Sequence, residues 1–101
     1  MFGRLPKLSL KPPPIAAATG AAEVLRAWIL PGWTKMQVTL QPRHDDPAVW
    51  GMLLVDVARH AAKAYALESR YSESEALRRI KQVFDAEWAT PTDLAEGFTR
   101  E

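Results

Sequence analysis

The sequence predicts an α+β fold ordered strand, strand, helix, helix. Two short alternating segments flank a Pro31-Gly32 turn, Asp46-Pro47 opens a long apolar run, and Ser72-Glu73-Ser74-Glu75 has the pattern of a helix-capping box. A hairpin followed by two helices (ββαα) reads as a two-layer domain, with the sheet extended or the helices packed across a homodimer.

Residues 1–21 read as an extended or disordered arm. Pro6 and the Pro12-Pro13-Pro14 run favour polyproline backbone without ladder donors, and the small-residue stretch that follows has no periodicity. Leu5, Leu8 and Leu10 are apolar enough to lie along a body surface. The domain itself is assigned to residues 22–90.

The first strand is expected over Glu23 to Leu30, with Leu25, Ala27 and Ile29 on one face and Val24, Arg26 and Trp28 on the other. Proline presets the first angle of the following turn and Gly32 supplies a positive φ, so the chain reverses around Pro31 to Thr34. Lys35 to Gln41 then alternates, with Met36, Val38 and Leu40 together on the face expected to receive the helices. Pro42 ends the strand, because proline cannot donate to a ladder.

Asp46 caps the next helix and Pro47 fits its first turn, so a helix runs from Pro47 to about Leu67. Trp50, Leu53, Leu54, Val57 and Ala61 make a broad apolar face, and Met52, Val55 and Ala58 widen it. Only Asp56, Arg59 and Lys63 form a compact polar stripe. A helix apolar around most of its circumference has to be covered from more than one side. The second helix starts at the capping box, repeats Ala76, Leu77, Ile80, Val83, Phe84 and Trp88 on one face, and stops before Pro91. Glu75 with Arg79 and Lys81 with Asp85 are four-apart ion pairs on its exposed side. Residues 91–101 read as a C-terminal tail, with at most a short turn around Asp93 to Glu96.

With 101 residues and no cysteine, the chain has neither disulfides nor thiolate metal sites to support a small core. A partner subunit is the remaining remedy, and a homodimer is the expectation. The net charge of +1 does not announce a polyanion, and acids interleave Arg78, Arg79 and Lys81, so nucleic acid is not an expected partner. No run approaches the ~18 apolar residues of a membrane span, and no apolar signal core precedes the prolines. A cytoplasmic location without membrane attachment is the default expectation.

The segments Glu23-Val24-Leu25-Arg26-Ala27-Trp28, Asp46-Pro47-Ala48-Val49-Trp50-Gly51-Met52-Leu53-Leu54-Val55-Asp56 and Phe84-Asp85-Ala86-Glu87-Trp88 resemble a small family of uncharacterised bacterial proteins, catalogued as a domain of unknown function and met mainly in alphaproteobacteria. The resemblance covers about residues 23–93. It implies a small single-domain α+β protein and transfers no functional residue.

Site signals are sparse. Arg43, His44, Asp45 and Asp46 concentrate charge in the strand–helix connection, and Asp56 and His60 lie one helical turn apart. Two ligands do not make a metal site, so no metal, cofactor or catalytic residue is assigned. Asp56 is expected to pair with Arg59 or Lys63 on the polar stripe, leaving His60 at the border of the core. Trp28 and Trp33 are harder to explain as core than Trp50 or Trp88. With Ala58 and Ala62, which allow close backbone approach, they are the candidate interface residues. The leading expectation is a non-catalytic protein-interaction or structural module acting as a homodimer, with an unidentified protein as a further partner. The alternative is a small-ligand-binding protein or minor enzyme using Arg43, His44, Asp45 and His60, which requires His44, Asp45 and His60 to converge in a cleft. As an accessory subunit of a larger complex, the chain would keep an apolar patch that dimerisation does not cover.

Overall fold

The arm carries a short helix where the sequence suggested extended or disordered chain. The computed structural model describes residues 5–32, 35–92 and 98–100. Pro13 keeps the polyproline geometry its neighbours favour (φ −66°, ψ 147°), and α1 follows over Pro14–Thr19 with proline in its first turn. Gly20 closes it in the left-handed region at φ 67°, while Ala21 N–H donates back to Ala16 O at 2.9 Å. Leu8 and Leu10 on the same arm are 91% and 89% exposed, so they lie on no body surface.

Strands β1 (Leu25–Ile29) and β2 (Met36–Leu40) form the expected antiparallel hairpin. Its register opposes Leu25 to Leu40, Ala27 to Val38 and Ile29 to Met36, which puts all six aliphatic side chains on one face. Leu30 N–H closes the turn onto Lys35 O at 3.0 Å, and Gly32 takes the positive φ of 91°. Trp33 and Thr34, assigned to this turn, lie outside the described residues.

Helix α2 spans Ala48–Leu67 and α3 spans Glu73–Ala89. Asp46 caps α2 by accepting from Ala48 N–H at 2.9 Å, and Ser72 Oγ accepts from Glu75 N–H at 3.1 Å, which is half of the capping box. Between them the chain turns through Ser69 at φ 60°, where Arg70 N–H returns to Tyr65 O at 3.2 Å. Tyr65 and Tyr71 meet edge-on at 6.0 Å, and the Arg70 and Arg79 guanidinium groups lie over their rings at 5.6 and 5.0 Å.

Two further features depart from expectation. The segment beyond Pro91, read as a tail, returns to the sheet: β3 (Phe98–Arg100) pairs in parallel with β2 to give the order β1-β2-β3. The turn anticipated around Asp93 to Glu96 lies outside the described residues. Second, the helices do not cover the Met36, Val38, Leu40 face; among the described residues they pack on one another and not on the sheet.

The connection explains the second departure. Pro42 O accepts from His44 N–H at 2.7 Å and from Trp50 Nε1–H at 3.1 Å, with Arg43 held between them at φ 65°. The first turns of α2 therefore lie beside Val24, the residue just ahead of β1, where Val24, Pro42, His44, Val49, Trp50 and Leu53 line a small recess. Val24 belongs by alternation to the Arg26 and Trp28 side, so α2 starts on the side away from the aliphatic face.

The result is a chain with little interior. Its buried apolar side chains, among the described residues, are Ala62 (0% exposed) and Ala76 (4%). The accessible surface is 9264 Å², where a compact monomer of 11.3 kDa would expose about 5,700 Å². The radius of gyration of 15.3 Å likewise exceeds the ~13 Å of a compact domain this long.

Candidate interaction surface

A groove of about 630 Å³ lies between α2 and α3. Gly51, Leu54, Val55 and Ala58 form one wall, and Leu77, Ile80, Phe84 and Trp88 the other. Its shape follows from the order of side-chain sizes. Near the turn, the buried alanines Ala62 and Ala76 let the helices approach; toward the far end, Phe84 and Trp88 share the lining with Gly51, Leu54 and Val55 of the other helix. Phe84 and Trp88 stack on each other, ring centres 5.8 Å apart and planes 19° apart, and Trp88 is 77% exposed. Trp88 is thus a groove residue, although its helical spacing suggested core. Arg59, Lys81 and Asp85 complete the lining, with Lys81 Nζ donating to Asp85 Oδ2 at 2.7 Å.

A second apolar surface is the bare face of the sheet. Ile29 and Met36 are exposed, and Met36 keeps 72% of its surface in contact with solvent. Exposed patches of this kind in soluble proteins mark places where another molecule docks.

The residues suggested as a ligand site do not come together. Arg43 lines a shallow recess of about 140 Å³ with Glu23, Arg26 and Thr39, whereas His44 lines the separate recess of about 100 Å³ near Trp50. Asp45 is exposed and borders neither recess. His60 stands on α2 twelve residues beyond Ala48, about 18 Å along the helix. It is exposed and does not border the core; its Nδ1–H donates to Asp56 O at 2.8 Å, with Asp56 Oδ1 at 3.5 Å. Asp56 thus has His60 as its neighbour, in place of the expected Arg59 or Lys63. Among the described residues, no three histidine, cysteine, aspartate or glutamate side chains form a cluster able to hold a metal ion. No helix there is long and apolar enough to cross a membrane.

The interface candidates separate. Ala58 lines the groove, but Ala62 is enclosed by its own chain and offers no surface to another. Trp28 sits on the sheet side opposite the aliphatic face, beneath the Arg26 guanidinium at 5.9 Å, and Arg26 Nε in turn donates to Glu23 Oε1 at 2.8 Å. Trp33 lies outside the described residues. Leu54, Val55, Phe84 and Trp88 are surface residues that the sequence does not reveal as such, since periodicity places them on an apolar face without saying what faces them.

Charges cluster on the outer side of α3. Glu75 accepts from Arg78 at 2.8 and 3.0 Å and from Arg79 at 3.1 Å, and these bonds hold its carboxyl down at about 2. Glu87 is also lowered, by the Thr92 backbone N–H and then the Thr92 hydroxyl. These groups brace a helix terminus and a helix flank, and none of them lines the groove.

Fold and surface together define a small α+β domain with an open apolar groove and an uncovered sheet face. The chain belongs to a family known as a domain of unknown function (DUF5076), whose model matches residues 9–92. It is similar to a solved protein from the photosynthetic bacterium Rhodopseudomonas palustrus CGA009, provisionally named a pyruvate dehydrogenase. The two are 47% identical over 95% of each chain, with a TM-score of 0.69. A comparison with curated proteins gave no match.

Proposed function

We propose that this protein is a non-catalytic structural or protein-interaction module that works as a homodimer in the cytoplasm. The observation that carries the reading is the surface excess: 9264 Å² against about 5,700 Å² for a compact monomer, with an interior of two alanine side chains among the described residues. Standard interfaces bury about 800 Å² per partner and obligate ones considerably more, so an excess of this size is what an obligate subunit carries before assembly.

Catalysis has less support. A reaction needs polar groups that converge, and Arg43, His44, Asp45 and His60 face separate parts of the surface.

Sedimentation equilibrium across nanomolar to micromolar protein, with circular dichroism at each dilution, tests the reading. A dimer whose dissociation is accompanied by loss of thermal stability is expected. A monomer that stays folded at every dilution would end it.

A further inference from the structure

We infer that the two uncovered apolar surfaces are partners for each other between copies: the aliphatic face of one protomer's sheet fills the α2–α3 groove of the second. This rests on the homodimer reading and specifies its geometry.

Three observations favour that occupant. A sheet with one apolar face must bury it against a helix layer, and a helix pair with one apolar stripe needs a matching layer. Among the described residues this chain has one of each and does not join them. Its own helices are poorly placed for the task, because the doubly bonded Pro42 carbonyl and the Arg43 turn start α2 on the Val24 side. The dimensions also agree. Strands of five residues span about 17 Å, and the groove wall from Leu77 to Trp88 rises by about 17 Å along its helix.

The arrangement closes on itself. Each protomer gives one sheet face and receives one in its groove, so a twofold axis leaves neither surface over. Two such junctions draw on the exposed areas of Ile29, Met36, Leu54, Val55, Phe84 and Trp88. The two-layer α+β domain expected from the sequence then forms between chains.

The absence of cysteine makes a direct test practical. Full-length Met36→Cys and Val55→Cys proteins would be treated with a short bismaleimide, separately and after mixing. Covalent dimer is expected from the mixture, with little from either variant alone. Strong linkage of Val55→Cys to itself would overturn the inference in favour of groove facing groove. So would linkage of Val55→Cys to Leu8→Cys, which puts the arm in the groove, or failure of the mixture to link. Intrachain linkage in a Met36→Cys/Val55→Cys double variant that sediments as a monomer would remove both this inference and the dimer reading. A dimer by sedimentation with the wrong linkage pattern removes this inference alone.

A charge pair guards against disturbed folding. Met36→Lys and Val55→Glu should each weaken self-association by tenfold or more, and the mixture should recover it, because the mixed dimer has one opposite-charge contact and one native contact. Equal weakening in the mixture counts against the geometry.

Discussion

The helix pair and the sheet solve the same problem to different degrees. The α2–α3 hairpin is secured at nearly every point that local chemistry reaches: Asp46 and Ser72 cap its helices, Tyr65 and Tyr71 pack the turn, and Glu75 ties Arg78 and Arg79 along α3. Its seam closes on two alanines. The sheet has a complete register, but among the described residues no helix packs on its aliphatic face, which leaves Ala27, Ile29 and Met36 exposed and Leu25, Val38 and Leu40 half-buried. Hydrogen bonds fix the geometry of strands without supplying a core, whereas a helix pair obtains both from one packed seam. On the proposed homodimer reading, the sheet is the region that a second molecule completes.

The sharpest way to break this contrast is to overpack each region in turn. Ala62→Leu inserts three carbons where no solvent reaches and should cost about 1–3 kcal/mol. Ala27→Leu makes the same change on the exposed sheet face and should alter the stability of the dissociated chain by less than about 0.5 kcal/mol. Urea titration of both variants at a dilution that dissociates any dimer supplies the comparison. Equal costs would mean that the sheet face is covered within one chain.

A smaller effect sharpens the same contrast from the helix side. Ser72 Oγ satisfies an otherwise unpaired amide at the start of α3, so Ser72→Ala should lower stability by about 1 kcal/mol. The loss should be nearly the same in monomer and dimer, because the cap lies away from both apolar surfaces. Thermal melting at two protein concentrations would show it. A loss confined to the dimer would place the turn at the interface.

What could be read from the sequence divides along the same line. Ser72 and Glu75, Asp46 and Pro47, and Pro31 and Gly32 act on neighbours within a few residues, and each element they announce is present. Ser69 is a turn of the same local kind, yet serine does not advertise a left-handed φ as glycine would. β3 was not legible, because three residues at the end of the chain pair with Val38, Thr39 and Leu40 across the whole helix pair. The groove was half legible. Helical spacing collects Leu77, Ile80, Phe84 and Trp88 on one face, but that Gly51 and Ala58 face them across a gap depends on how the two helices splay. Misplacement of the helix layer has the same origin: the Arg43 turn sends α2 to one side of the sheet, and nothing in the pattern of apolar residues encodes that direction.

The smallest expected effect concerns the charges that brace α3, and its sign follows from the lowered carboxyl of Glu75. An ordinary glutamate titrates near 4.5, whereas in the folded chain Glu75 is held at about 2 by its hydrogen bonds to Arg78 and Arg79. A folded value below the unfolded one means that the contribution is fully present above pH 4.5. It is lost as acid takes the carboxyl through the interval from about 4.5 down to about 2. Because the three side chains stand in solvent, the effect should be modest and weakened by salt. Glu75→Gln keeps the backbone N–H that Ser72 caps and removes the charge. Its thermal midpoint should lie slightly below that of the wild type at pH 6, and the two should converge as pH falls toward 2. Comparing the pair cancels the titration of Glu87 and the other carboxylates common to both. A gap that stays constant over the whole interval would show that Arg79 contributes packing over Tyr71, and not charge, to the turn that holds the helix pair together.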